Sequence, residues 1–144
     1  MANLEPQSGV YAERLLTWLL RINAIVLLSA VVPAGMPLEW MAATHRWLGL
    51  GELSEGPIVG YLTRSLSAMY AMHGAVVLLV SFDVRRYREL IGWLAVLAML
   101  FGGAMLAIDV AVGMPLWWIL SEGPPLVVLG AVLLWLSRRL AAQT

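Results

Sequence analysis

The feature that most limits how this chain can fold is a succession of long apolar stretches, each bounded by proline, glycine or arginine. Inside a bilayer every backbone N–H and C=O must be satisfied within its own segment, so a hydrocarbon core of about 30 Å takes roughly 20 mostly apolar residues as helix. Four stretches meet or approach that length. The first covers residues 15–32, interrupted by Arg21 and Asn23, and is expected to stop before Pro33-Ala34-Gly35-Met36-Pro37, where two prolines disfavour further helix. The second, residues 57–82, opens with Pro57 at a helix start, where the missing N–H costs nothing. The third, residues 90–112, ends at Gly113-Met114-Pro115. The fourth is expected to begin at Pro124-Pro125 and to continue to residue 142, with the guanidiniums of Arg138 and Arg139 snorkelling outward.

Composition supports the same class. The 144 residues are 61% apolar and 12% charged, with zero formal net charge and no cysteine. A water-facing surface usually needs about 25% charged residues. The balance excludes a disordered chain, a basic nucleic-acid binder and a disulfide scaffold. The predicted architecture is therefore all-α: an integral membrane four-helix bundle forming a single transmembrane domain over residues 1–144.

Arginine placement predicts the orientation, since positive residues concentrate in short cytoplasmic loops. Arg14 precedes the first stretch, Arg85, Arg86 and Arg88 lie between the second and third, and Arg138 and Arg139 end the fourth. All three sites fall on one side of an even-numbered bundle. The other side carries Arg46 with Glu39, Glu52, Glu55 and Glu122. Both termini are thus expected to be cytoplasmic. A cleaved leader is the competing account of the N-terminus, but Glu5 and Glu13 are out of place in a basic leader and no clear A-x-A site follows.

Two short motifs recur in order. Gly35-Met36-Pro37-Leu38-Glu39-Trp40 returns as Gly113-Met114-Pro115-Leu116-Trp117-Trp118, and Ser54-Glu55-Gly56-Pro57 returns as Ser121-Glu122-Gly123-Pro124. Each match sits at a predicted helix end or start on one membrane face, which points to two tandem parallel helix-pair repeats. Recurrence of interfacial Pro, Gly and Trp wherever helices end is the competing explanation. The first half carries an insertion, residues 41–51. Trp40, Ala43, Trp47 and Leu50 stand there at helical spacing, predicting an interfacial amphipathic helix over residues 38–50. Glu55 and Glu122 are expected to cap the helices that follow them, with ligand binding the alternative.

Ionisable groups at membrane depth are costly and mark either function or a specific pairing. Arg64 is expected roughly 10 Å below the outer face, and Asp109 about 5–8 Å. An Arg64–Asp109 ion pair, with Tyr61 or Ser65 nearby, is the leading intramembrane constellation. It reads as a ligand-contacting pair or as a structural pair that sets helix register. Arg64, Ser67, Tyr70 and His73 recur at every third position, a polar line expected to face the bundle interior either as glue between helices or as a narrow path. Arg21 and Asn23 form a second candidate polar cluster. The tryptophans mark boundaries, and the Arg85-Arg86-Tyr87-Arg88 loop suits anionic lipid.

No metal and no cofactor is expected. Bis-histidine haem needs two histidines at similar depth, and His45 and His73 belong to different levels; with no cysteine and no carboxylate–histidine cluster, zinc and iron–sulfur centres find no ligands.

Gly-Met-Pro-Leu-x-Trp after the first and third stretches, and Arg64-Ser65-Leu66-Ser67-Ala68-Met69-Tyr70-Ala71-Met72-His73-Gly74 within the second, give the chain an outline that resembles small bacterial inner-membrane proteins of unassigned role. The outline is also similar to the DoxX-like group of four-helix proteins. That resemblance implies a bacterial inner membrane but matches no functional residue to a position here. The absence of lysine beside nine arginines fits a GC-rich bacterial genome. Three functions follow, in order of expectation: a non-enzymatic accessory or assembly subunit, with a membrane-protein partner or a second copy of the chain; a small-molecule or ion transporter using Arg64 and Asp109; and, from the DoxX-like outline alone, a redox or quinone-associated protein. The bilayer is the expected environment and nucleic acid is not an expected partner.

Overall fold

The computed structural model describes residues 5–54 and 56–142, with side chains from residue 9 onward. The helices are α1 (Glu5–Leu28), α2 (Val31–Gly35), α3 (Leu38–Trp47), α4 (Pro57–Val80), α5 (Arg88–Val112) and α6 (Leu116–Ala141), and the described residues contain no strand. Three segments are long and apolar enough to cross a membrane: Gly9–Gly35, α5 and α6. α4 matches α1 in length at 24 residues. It is not among the three because Arg64, Ser65, Ser67 and His73 dilute its apolar content.

α1 and α6 depart furthest from their expected bounds, for physical reasons. α1 begins ten residues before the predicted apolar stretch, and Ala12, ahead of that stretch, extends the buried stripe of Leu16, Leu20 and Ala24 at helical spacing. At its other end the chain turns at Ser29 and Ala30 and re-forms as the single turn α2, which contains Pro33. Proline is tolerated there because the first-turn N–H groups have no intrahelical acceptor. α6 starts at Leu116, not at Pro124, and runs straight through Pro124 and Pro125. Each proline removes one backbone hydrogen bond, but Gly123 has no Cβ to clash with the following ring. The contact of residues 116–123 with α5 offsets the loss.

The described chain divides into two compact units, one containing the residues up to Leu20 with those from Val80 onward, the other Arg21–Leu79. In the first, α5 and α6 form an antiparallel hairpin with their backbones almost touching. A Cβ on Gly102 would lie 2.8 Å from the Gly123 carbonyl oxygen, and one on Gly130 would lie 2.6 Å from that of Ala95. Glycine at both positions is what permits this approach. Ala95, Gly102 and Asp109 stand seven residues apart on α5, opposite the Gly123, Gly130, Ser137 series on α6, and all six are buried. At the arginine-rich end Glu13 accepts two hydrogen bonds from Arg85, at 2.8 Å from Nε and 2.7 Å from Nη2, tying α1 to the segment between α4 and α5. That contact and the carboxylate charge raise the Arg85 pKa above its ordinary value.

In the second unit Gly74 of α4 lies against the other half of α1: a Cβ there would meet Leu27 Cβ and the Leu28 nitrogen at 2.8 Å. α3 packs on α4 through buried Met41, whose Sδ lies 3.7 Å from Thr63 Oγ1. Trp40 and Trp47 project from the other side of α3 and are 65% and 83% exposed. α3 ends at Trp47 and not at residue 50, because Gly49 and Gly51 adopt positive φ. His45 Nδ1 contacts the Gly51 carbonyl at 3.0 Å and Arg46 pairs with Glu52 at 3.5 Å, so both residues hold the loop after α3.

The two Gly-Met-Pro-Leu motifs take one local form. Pro37 (φ −58°, ψ 144°) caps α3 and Pro115 (φ −56°, ψ 144°) caps α6. After the cap the copies diverge. The first helix stops at Trp47 and a loop precedes Pro57, whereas the second continues unbroken through Pro124.

Candidate functional site

Asp109 lies in the last turn of α5. Its own backbone helps to end the helix: the Met114 N–H donates to the Asp109 carbonyl at 2.9 Å and the Gly113 N–H to Val110 at 3.2 Å, with Gly113 left-handed at φ 77°. This is a Schellman ending, for which glycine is the favoured residue. The side chain points inward along the stripe of Ala95 and Gly102 and retains 4% of its accessible surface. Its Oδ2 is buried without a hydrogen-bond partner among the described residues. An orphaned buried carboxylate oxygen carries a desolvation penalty of about 1–3 kcal/mol, and more when charged.

Glu122 faces the same region from α6. It is half-buried beside Gly123, accepts a hydrogen bond from the Trp118 side chain, and is close enough to Asp109 for the two charges to act on each other. The expected capping role of Glu122 is not what the structure gives it, because α6 began six residues earlier and Glu122 lies within the helix. The neighbouring Ser121 hydroxyl donates to the Trp118 carbonyl at 3.0 Å. Glu55, its counterpart in the first half, lies outside the described residues. Taking Pro124 as a helix start made capping the first reading of Glu122 and ligand binding the second. Had the helix been extended back to Pro115, Glu122 would have stood facing the end of α5 that carries Asp109.

Two carboxyl groups within electrostatic reach of each other, one of them buried, with no group of three or more histidine or acidic side chains among the described residues, suit a proton or a singly charged cation. A divalent metal needs about six oxygen ligands.

The remaining predicted residues lie in the other unit. Arg64 is exposed on α4, and its Nη2 donates to the Met36 carbonyl at 3.3 Å, holding the link between α2 and α3. Tyr61 is 66% exposed. Ser67 and Tyr70 are half-buried on the side of Gly74, whereas His73 is exposed. The polar line therefore does not face inward as a whole. Three-residue steps fall about 60° short of a full helical turn, so the line from Arg64 to His73 winds halfway round α4. Arg21 is exposed and Asn23 half-buried on α1. No protein family, no curated protein and no solved structure matches this chain, so its outline rests on the residues quoted above.

Proposed function

We propose that this protein is a multi-pass protein of a bacterial inner membrane that binds a proton or a small cation at Asp109 and Glu122 and moves it, or a solute coupled to it, across the bilayer. The observation that carries this reading is the buried Asp109 Oδ2 without a partner. An ionisable group at membrane depth is costly, and selection keeps one where its change of charge does something. In this reading α4 crosses the membrane as Gly9–Gly35, α5 and α6 do, and the arginines before α1, after α4 and at the end of α6 support cytoplasmic termini. The matching Pro37 and Pro115 geometry supports a tandem repeat in which α3 and α4 together correspond to α6.

The accessory-subunit reading has one observation in its favour. The Arg64 guanidinium binds a backbone carbonyl and the Thr63 hydroxyl bonds its own helix at Val59, so polar groups of α4 serve structure. Proteoliposomes containing a pH-sensitive dye, with a potassium diffusion potential imposed by valinomycin, separate the two readings. The expected result is proton entry well above that of protein-free vesicles, abolished in Asp109→Asn and reduced in Glu122→Gln. Entry at the protein-free level, or entry unchanged by Asp109→Asn, rejects the transport reading. A stoichiometric membrane partner retained through purification would then favour the accessory role.

A further inference from the structure

At the end of the α5–α6 hairpin remote from Asp109, a groove of about 400 Å³ opens between the start of α5 and the end of α6. Arg88, Glu89, Gly92 and Trp93 line it from α5, and Leu134 and Arg138 from α6. We infer that this groove binds one anionic phospholipid, with the phosphate between Arg88 and Arg138 and an acyl chain lying along Gly92, Trp93 and Leu134.

Charge supports that occupant first. Two guanidiniums face the groove against the single carboxylate of Glu89, and basic pockets between helices at a membrane surface hold acidic headgroups. Arg139, next in sequence, stacks on the Trp135 ring at 3.9 Å and adds a cation at the same end. Shape supports it second. The charged groups stand at the helix ends and the apolar lining lies further along the helices, which is the order of headgroup and chain in an amphiphile. Free phosphate would engage the arginines and leave Trp93 and Leu134 uncovered. Trp93, 69% exposed, stands at the level where indoles mark the headgroup region.

Gly92 forms the floor. A Cβ there would meet Ser137 Oγ at 3.8 Å and Leu134 Cδ1 at 4.0 Å, ordinary contact distances, so alanine fits and a longer side chain extends into the groove. This site is independent of the Asp109 reading: either stands if the other fails.

Native mass spectrometry of the full chain, released from a neutral detergent, tests the inference with dioleoylphosphatidylglycerol, dioleoylphosphatidylcholine and inorganic phosphate as probes. One phosphatidylglycerol per chain is expected, held about tenfold more tightly than phosphatidylcholine. Arg138→Gln is expected to weaken it about fivefold, the worth of one arginine at about 1 kcal/mol. Gly92→Leu is expected to abolish binding with every charge in place, while Gly92→Ala keeps it. Arg138 is exposed, so its variant tests the site even if Gly92→Leu does not fold. Equal retention of the two lipids, displacement of phosphatidylglycerol by millimolar phosphate, or binding unchanged in both Arg138→Gln and a folded Gly92→Leu would overturn the assignment.

Discussion

The carbonyl oxygen of Gly123 lies 2.8 Å from where a Cβ on Gly102 would stand, and that of Gly102 lies 2.7 Å from the equivalent point on Gly123. Two backbones this close gain dispersion contacts along the whole hairpin and leave no room for a methyl group. Gly102→Ala and Gly123→Ala are each expected to destabilise the protein by about 1–3 kcal/mol, the usual cost of overpacking. Gly103→Ala is the control: nothing lies within 4 Å of its Cβ position, and the gain in helix propensity is about 1 kcal/mol. Thermal unfolding in detergent should lower the midpoint for the first two and leave the third unchanged or higher.

Asp109 is expected to separate stability from activity. Asp109→Leu replaces an orphaned buried carboxyl group with an apolar side chain of similar size, so it should raise stability by about 1–3 kcal/mol. The same substitution should abolish proton entry in the proteoliposome assay. A lower unfolding midpoint for Asp109→Leu would mean that the carboxyl group is paired in the folded protein.

Glu13 and Arg85 form an exposed, two-pronged ion pair whose contribution should fall with ionic strength. A double-mutant cycle with Glu13→Gln and Arg85→Gln in low and high salt should give a coupling that shrinks as salt rises. Its pH dependence follows from the sign of the Arg85 shift. A cation whose pKa is raised by folding contributes fully below its unfolded value and loses that contribution only as pH climbs through the folded one. The stability deficit of Arg85→Gln should therefore stay constant between about pH 7 and 10.

Because the chain contains no cysteine, single-cysteine variants report sidedness without background. Ser54→Cys before α4 and Arg86→Cys after it are expected to react with an impermeant maleimide from opposite sides of the membrane, with Arg86→Cys protected in intact cells. Labelling of both from one side would mean that α4 does not cross, and that the polar groups diluting its apolar content decide its position.

The helices at residues 57–80 and 88–112 were legible because long apolar runs end at proline, glycine or clustered arginines. The short helix α3 was legible from the spacing of Trp40, Ala43 and Trp47. The acidic pair was half legible: Asp109 stood out as a charge within an apolar stretch, but Pro124 and Pro125 made Glu122 read first as a helix cap. Two prolines are a strong local argument for a boundary, and no local argument includes the contact that outweighs it.

What the sequence determined by itself is that this chain forms long apolar helices joined by short turns, because an apolar run of that length can satisfy its backbone only within a helix. Which surfaces those helices share was decided by tertiary structure alone. The α5–α6 register depends on where Gly102, Gly123 and Gly130 let two backbones meet, and that register buries Asp109 and brings Glu122 within its electrostatic reach. Close packing is a relation between residues distant in the chain, and its energy was enough to carry one helix through two prolines that, read locally, would have ended it.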